Sequence, residues 1–366
     1  MWAYSAAAFK VETVVSPRAR IEPGTLIAVT HRRESDVPLV CPPLYRTGGM
    51  RKNHPARMHF AARDDMFLPG FFAGFPPDLS PRTRRLLYRV GVARWLPVVQ
   101  VHPIRSANVA RLGEVIAARP EDRLESLLTE ENAGALRERA RAHGLPEPVT
   151  AGETLRGEYA DLLWRAVSSG DGVRPGLDGF WSARAAQAAR DFRALVEILR
   201  RPGSLVVFPE GRPSPDGEIG PVRPGVGALL RRGRPRAIQP VALAYDPLVR
   251  GRTRLVLTIP DPAEPPEQGD AEALLLSLLR RSMPLTAGQF AAHRLLEGAE
   301  ADPAALDREL ADAVASAQAD GRPVEPSLLV EQARRRRLAE ALAVAPAKPK
   351  ALSFLSREYR TARQPA

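Results

Sequence analysis

The sequence predicts an α/β fold in which a mixed sheet is flanked by helices, with a helical insertion and a C-terminal all-helical appendage. Short apolar runs rich in β-branched residues alternate with helical stretches up to about residue 260. From there on the chain is rich in Ala, Leu and Arg with a helical periodicity and no strand pattern. We therefore expect an α/β domain over 1–262 with a helical insertion at about 108–190, a helical appendage over 267–350, and a flexible tail over 351–366.

The sheet is predicted from five apolar runs. They are Thr25–Thr30, Leu96–Val101, Leu205–Phe208, Ile238–Ala244 and Arg254–Ile259. The insertion lies between the second and third runs and is interrupted by the turn-rich segment Ser168–Gly176. The Pro- and acid-rich segment Pro260–Pro266 ends the sheet domain. The tail contains many Pro, Ala, Lys and Arg residues, and we expect it to fray.

Composition limits the partners and the cofactors. A formal charge of +11 predicts an anionic partner, such as nucleic acid, a phosphorylated metabolite or an acidic membrane surface. Cys41 is the only cysteine, so a disulfide within the chain, a zinc ribbon and an iron–sulfur cluster are excluded, and a reducing compartment is expected. No apolar run is long enough to span a bilayer, and we expect no bound metal or resident cofactor.

His31 and Asp36 are the first candidates for catalysis. His31 follows the apolar run Thr25–Thr30, so it should emerge at the carboxyl end of a buried strand, where α/β sheets place active residues. A separation of five puts two side chains far apart on a regular helix, so contact requires a tight turn or a helix start. A carboxylate on one imidazole nitrogen would support proton uptake by the other.

A second pair has the same spacing. His59 and Asp64 also form a His-x4-Asp pattern, which shows that spacing alone is weak evidence. His59 lies inside an apolar run and is typical of a strand interior, whereas His31 is followed by a polar turn. Context therefore favours His31 and Asp36 as the dyad.

Two further segments end strands with polar groups. Phe208-Pro-Glu-Gly-Arg212 presents Glu210 after a strand, with Gly211 allowing close backbone approach and Arg212 supplying a cation. Arg105 follows another strand. Each segment by itself is better explained as an ordinary loop that carries solvated arginines.

Together, these segments resemble the glycerolipid acyltransferase family, which includes glycerol-3-phosphate and lysophosphatidate acyltransferases. Members of that family carry four segments in a fixed order along the chain: a strand followed by His-x4-Asp, a strand that ends in an arginine, a Phe-Pro-Glu-Gly block, and a strand with a central Pro-Val. In this chain the fourth segment is Ile238–Ala242. This chain departs from the family at three positions. Thr30 and Arg33 stand where the family usually has Asn and Ser, and Pro213 stands where it usually has Arg.

The resemblance implies that His31 is the general base, oriented by Asp36, for transfer of an acyl group from acyl-CoA or acyl carrier protein. It implies that Arg105, Glu210, Gly211 and Arg212 hold the phosphate and glycerol of the acceptor. The first choice of acceptor is 1-acylglycerol-3-phosphate, in phospholipid biosynthesis. Glycerol-3-phosphate is the alternative acceptor, and a non-catalytic relative that binds anionic lipid is the alternative from another class.

An aromatic segment and two basic segments bear on membrane contact. Met66–Phe75 and the following Arg82–Trp95 could form an acyl-binding or membrane-lying face, or equally part of the core. Arg334–Arg337 is better explained as a solvated helix face than as a lipid- or nucleic-acid-binding helix. No zinc or RNA-recognition motif is present, so nucleic acid is not the expected partner. We expect a cytoplasmic protein peripherally bound to the inner face of the cell membrane, drawn by anionic lipid.

Overall fold

The computed structural model describes residues 9–33, 36–47, 57–68, 70–74, 79–91, 93, 95–201, 203–266, 269–298 and 302–364. The chain forms two compact units. The first comprises 1–58 and 196–366, and the second comprises 59–195.

The first unit contains a mixed sheet, which confirms the predicted α/β class. Its strands are β1 (Phe9–Val15), β2 (Thr25–Val29), β7 (Gly203–Val207), β8 (Ala237–Asp246) and β9 (Thr253–Ile259), in the order β1-β9-β8-β2-β7. β2 is parallel to β7 and β8, and β1 is parallel to β9, whereas β8 and β9 are antiparallel. Every residue of β2 and β7 is buried, as expected of parallel strands covered on both faces.

The predicted strands are largely found. The runs that begin at Thr25, Leu205, Ile238 and Arg254 correspond to β2, β7, β8 and β9. The prediction of a strand at Leu96–Val101 is wrong, because residues 95–100 form turns and the strand begins only at Val101. Gln100 adopts a left-handed conformation with φ of 59°, which interrupts an extended chain at that point.

Helices of the first unit cover the sheet and form the appendage. They are α1 (Asp36–Thr47), α9 (Pro224–Gly233), α10 (Ala271–Ser282), α11 (Ala287–Leu296), α12 (Pro303–Ala319), α13 (Glu331–Val344) and α14 (Pro349–Thr361). Short 3-10 turns occur at Pro326–Leu329 and Ala345–Ala347. The appendage has its own core, which includes Phe290, Leu310, Leu338, Leu355 and Tyr359.

The prediction of a flexible tail over 351–366 is wrong for 351–361, which belong to α14. The apolar side chains of Leu355 and Tyr359 are buried in the appendage core, and their spacing of four places both on one helix face. The Pro, Ala, Lys and Arg content concealed this amphipathic face. Residues 365 and 366 lie outside the described part of the chain.

The run Arg334–Arg337 is only partly the solvated helix face predicted. Arg335 is exposed, but Arg337 is 3% exposed and forms ion pairs with Asp246 (2.8 Å) and Glu325 (3.1 Å). Burial raises the pKa of Asp246, and the charge of Arg337 opposes this rise. Arg337 therefore joins α13 to the end of β8 through buried charges, which are costly unless paired.

The second unit has its own core, which includes Leu112, Ile116, Leu124, Leu136 and Tyr159. Its strands are β3 (Arg57–Arg63, beginning two residues before the unit boundary), β4 (Val101–Ile104), β5 (Val109–Arg111) and β6 (Ala166–Ser168). β3 and β4 pair in parallel, and β5 and β6 pair antiparallel. Its helices are α2 (Phe71–Gly74), α3 (Pro81–Tyr88), α4 (Leu112–Ala118), α5 (Leu124–Leu127), α6 (Glu130–Ala142), α7 (Ala160–Leu163) and α8 (Asp178–Arg200, whose last five residues belong to the first unit). Its 3-10 turns occur at Asp64–Phe67, Ala151–Thr154 and Gly157–Tyr159.

Within the described ranges, no helix combines the length and the apolar character needed to cross a membrane.

Candidate active site

The candidate site lies at one edge of the first unit's sheet, where β2 and β7 end. Because these strands are parallel, their carboxyl ends meet at the same edge. His31 follows β2 by two residues, and Glu210 follows β7 by three. The topology thus brings together two segments that are 179 residues apart in the chain.

A tight turn closes the dyad. The backbone N–H of Asp36 donates to the carbonyl of Arg33 (3.0 Å), and Asp36 begins α1. This helix start folds the chain so that Nδ1 of His31 lies 3.1 Å from Oδ2 of Asp36. The two side chains therefore meet as the sequence argument required, although residues 34 and 35 lie outside the described part of the chain.

Asp36 is fully buried and its carboxylate is held by several donors. The same oxygen that contacts His31 accepts hydrogen bonds from the backbone N–H groups of Arg32 (2.6 Å) and Arg33 (2.8 Å). The other oxygen accepts a hydrogen bond from the hydroxyl of Tyr245 on β8 (2.6 Å). Four donors fix the carboxylate, and hydrogen bonds to the charged form stabilise it.

The arrangement determines which nitrogen of His31 can act as a base. An ionised carboxylate only accepts hydrogen bonds, so Nδ1 carries the proton and the lone pair lies on Nε2. Among the described residues, no hydrogen bond occupies Nε2. The imidazole packs against the Phe208 ring, with 4.6 Å between centroids. His31 is therefore oriented on one side and available for proton uptake on the other.

Glu210 fixes the backbone of the site. Its carboxylate is buried and accepts hydrogen bonds from the backbone N–H groups of His31 (2.8 Å) and Gly220 (3.0 Å). Burial raises the pKa of Glu210, against the lowering effect of the nearby Arg32 charge. A second hydrogen bond joins the two segments with the donor on the other side: the backbone N–H of Ser214 donates to the His31 carbonyl (2.8 Å).

Gly211 and Arg212 lie on the outside of this loop. Gly211 has φ of +69°, and a Cβ there would come within 3.2 Å of Arg223. Arg223 donates from Nε to the Glu210 carbonyl (3.2 Å), and Arg212 is exposed. The cations available at this loop are therefore Arg212 and Arg223, and the positive φ favours glycine at 211.

Arg105 belongs to the second unit. There it lies 3.3 Å from Asp64 and 3.4 Å from Asp191, and Asp64 also pairs with Arg184 (2.7 Å). Its charge is thus balanced by carboxylates of its own unit.

His59 lies within strand β3, as predicted from its apolar surroundings. Its Nδ1 is 2.9 Å from Nε2 of His102, whose pKa is lowered by burial. The alternative partner in sequence, Asp64, pairs with arginines as described above.

Three residues of the site were missed by sequence reasoning. Tyr245 carries one signal, since a buried tyrosine hydroxyl needs a partner. Arg32 is buried, with Nε 3.3 Å from the Glu358 carboxylate of α14, and donates from a guanidinium nitrogen to the carbonyls of Gly217 (3.3 Å) and Glu218 (3.2 Å). Burial raises the pKa of Glu358 to about 7. Nothing in the sequence pairs a residue at 358 with one at 32.

Cys41 offers no alternative nucleophile. It is buried in α1, and burial raises the pKa of its thiol to about 11, so almost no thiolate forms near neutral pH. Among the described residues, no group of three or more His, Cys, Asp or Glu side chains is placed to hold a metal ion.

Comparison with known proteins adds no relative: no family model, no curated protein and no solved structure matches this chain.

Proposed function

We propose that the protein is an acyltransferase that moves a fatty acyl group from an acyl thioester to a hydroxyl of a glycerol phosphate or lysophospholipid. The observation that carries this proposal is the oriented dyad: Nδ1 of His31 on a buried carboxylate, with Nε2 open. Asp36, held by His31 and three further donors, orients the imidazole as a general base requires, whereas passive lipid binding does not require an oriented base.

The reaction follows from this geometry. Nε2 of His31 removes the proton of the acceptor hydroxyl as its oxygen attacks the thioester carbonyl carbon. Asp36 stabilises the resulting imidazolium. The tetrahedral intermediate collapses with cleavage of the carbon–sulfur bond, and the departing thiolate takes the proton back from His31. The products are an ester and a free thiol, and His31 returns to its starting state.

The phosphate of the acceptor is assigned to arginines. Arg212 and Arg223 extend from the loop that also positions His31, and guanidinium groups pair with phosphate oxygens through two parallel hydrogen bonds. The resemblance favours 1-acylglycerol-3-phosphate as acceptor and acyl-CoA or acyl carrier protein as donor. Glycerol-3-phosphate is the second candidate, because the same phosphate contact serves both.

The test is release of free thiol from long-chain acyl-CoA by the purified protein, with lysophosphatidate, with glycerol-3-phosphate and without acceptor. His31→Ala should reduce turnover by a factor of roughly 10² to 10⁴, the usual contribution of a general base. His143→Ala, a change at a histidine with no proposed role, should retain full activity. If acyl-CoA gives no release, acyl carrier protein is tried as donor.

Two outcomes would overturn the proposal. Full activity of His31→Ala would remove the dyad from the mechanism. Absence of turnover with both donors and both acceptors, together with retained binding of anionic lipid, would instead identify a non-catalytic lipid-binding relative.

Membrane contact is assigned to the second unit. Leu86 (68% exposed), Trp95 (58%) and Val98 (69%) are apolar side chains on its surface, and the cations Arg82 and Arg89 are exposed in and directly after α3, the helix that carries Leu86. Apolar side chains beside arginines suit the interface of an anionic bilayer.

We expect the protein to sediment with vesicles of phosphatidylcholine and phosphatidylglycerol. Leu86→Ser with Trp95→Ser should weaken this binding, whereas the control Leu329→Ser, also at an exposed leucine, should not. Equal binding by all variants would exclude this face as the membrane contact.

A further inference from the structure

A cavity of about 790 Å³ lies at the sheet edge opposite the candidate active site, within the first unit. Its walls are the segments that lead into the amino ends of β2, β7 and β8, three strands that run parallel. Five residues of β2, at about 3.3 Å each, place it roughly 17 Å from the carboxyl edge. This cavity is therefore separate from the dyad. We call it the arginine cavity, after the six arginines that line it: Arg200, Arg201, Arg231, Arg232, Arg234 and Arg236.

The positive charge of the arginine cavity is only partly neutralised. Glu197 lies 3.5 Å from Arg200 and 4.0 Å from Arg201, and Glu272 lies 3.0 Å from Arg231. Helices α8 and α9 both end here, and each carboxyl end contributes about half a negative charge. With Arg232 left out of the count, about two positive charges remain after these contributions.

A second basic cavity contains two arginines that are paired with buried carboxylates. It is lined by Arg254 and Arg337 among other cations, and both are 10% exposed or less. Arg254 pairs with Glu325 (3.0 Å), and Arg337 pairs with Glu325 and with Asp246. Arg254 and Arg337 therefore neutralise internal carboxylates. In the described part of the chain, by contrast, no ion pair involves Arg234 or Arg236.

Local geometry holds these two arginines at the cavity wall. Arg234 has φ of +46°, a left-handed conformation that suits glycine and costs another residue on the order of 1 kcal/mol. Its backbone N–H caps α9 by donating to the Leu230 carbonyl (3.1 Å). The side-chain stem of Arg236 packs on Gly24, where an added Cβ would come within 3.3 Å. An arginine therefore occupies the position where glycine would be unstrained, and it adds charge to the cavity.

We propose that the arginine cavity binds a soluble ligand that carries a chain of phosphate groups, such as a polyphosphate or a nucleoside polyphosphate. Several guanidinium groups converge from three segments, and each can bind phosphate oxygens in pairs. The cavity volume falls within the usual range for small-molecule sites. A concave site with an excess of positive charge fits clustered phosphates better than the single phosphates spread over a bilayer surface. This proposal is independent of the acyltransferase proposal.

The test uses isothermal titration calorimetry of the full chain with tripolyphosphate at low salt. Saturable binding of one ligand per chain is expected, at least tenfold tighter than binding of orthophosphate, and weakening as salt is added. Arg234→Gly combined with Arg236→Gln should weaken tripolyphosphate binding at least tenfold. Arg234→Gly relieves backbone strain, so this variant should remain folded, as circular dichroism would verify.

The control is Arg308→Gln, at an exposed arginine of α12 outside the cavity, and its affinity for tripolyphosphate should be unchanged. His31→Ala should also bind tripolyphosphate normally, which separates this site from the proposed catalysis. Absence of tripolyphosphate binding, or equal binding by the double variant, would overturn the proposal. The proposal would also be overturned if the wild-type protein did not bind tripolyphosphate and the double variant lost binding to phosphatidylglycerol vesicles. The cavity would then bind a lipid surface.

Discussion

Replacing Glu358 with glutamine should make the protein more stable at pH 8 by about 3 kcal/mol and should leave its stability near pH 4.5 unchanged. Burial raises the pKa of this carboxyl from 4.5 to about 7, although Arg32 and a hydrogen bond from Gln289 (2.8 Å) favour its charged form. The nearby charges of Asp246 and Glu210 add to the rise. Burial thus outweighs the ion pair.

The direction of the pH dependence follows from proton binding. Between pH 4.5 and 7 the folded protein holds a proton on Glu358 that the unfolded chain has released, so the free energy of unfolding falls as pH rises through this window. A rise of about 2.5 in pKa corresponds to about 3 kcal/mol. Glutamine is neutral throughout, has nearly the same shape and keeps an oxygen for Gln289. The free energy of unfolding of the variant therefore does not fall in this pH window through residue 358.

The assay is urea unfolding followed by tryptophan fluorescence, at intervals from pH 4.5 to 8.5, for wild type and Glu358→Gln. All other groups titrate in both proteins, so the difference in unfolding free energy isolates Glu358. Glu309→Gln, at an exposed carboxylate of α12, is the matched control for the loss of one carboxylate, and it should not show the gain of about 3 kcal/mol at pH 8. If Glu358→Gln were instead destabilised at pH 8 by about 3 to 5 kcal/mol, the Arg32 ion pair would outweigh burial and the reasoning would be refuted.

Two further changes test the packing around the dyad. Tyr245→Phe removes the hydroxyl that donates to Asp36 and should cost about 1.5 to 3 kcal/mol, measured by urea unfolding; an unchanged midpoint would show that the hydrogen bond contributes nothing net. Gly217→Ala should destabilise far more than Gly251→Ala. Both glycines have positive φ, but a Cβ at 217 would lie 2.2 Å from the Phe354 carbonyl, whereas that at 251 meets open space. Equal losses in thermal stability would show that α14 moves away at no cost.

The sequence predicted the part of the site that depends on local order. Runs of β-branched residues identified β2, β7, β8 and β9, because the alternation of apolar and turn segments is a local property. His31 and Asp36 are five residues apart after a buried strand, so one turn was enough to bring them together. Glu210 was recognised for the same reason, since it follows a strand directly.

The sequence did not predict which distant groups would surround the dyad. Tyr245 reaches Asp36 across 209 residues, and the segment that carries Glu358 was interpreted as a fraying tail. A periodic pattern shows that a helix has a face to bury, but not which surface it covers.

By itself, the sequence determined the α/β class, the strands that lead to His31 and Glu210, and the net charge of +11. Only the tertiary structure decided that α14 places a carboxylate beside Arg32 and that six arginines converge at the opposite sheet edge. The physical reason is that the free energy of a charge depends on its burial and on every charge near it. Both are set by contacts between distant segments, which are fixed only when the whole chain has folded.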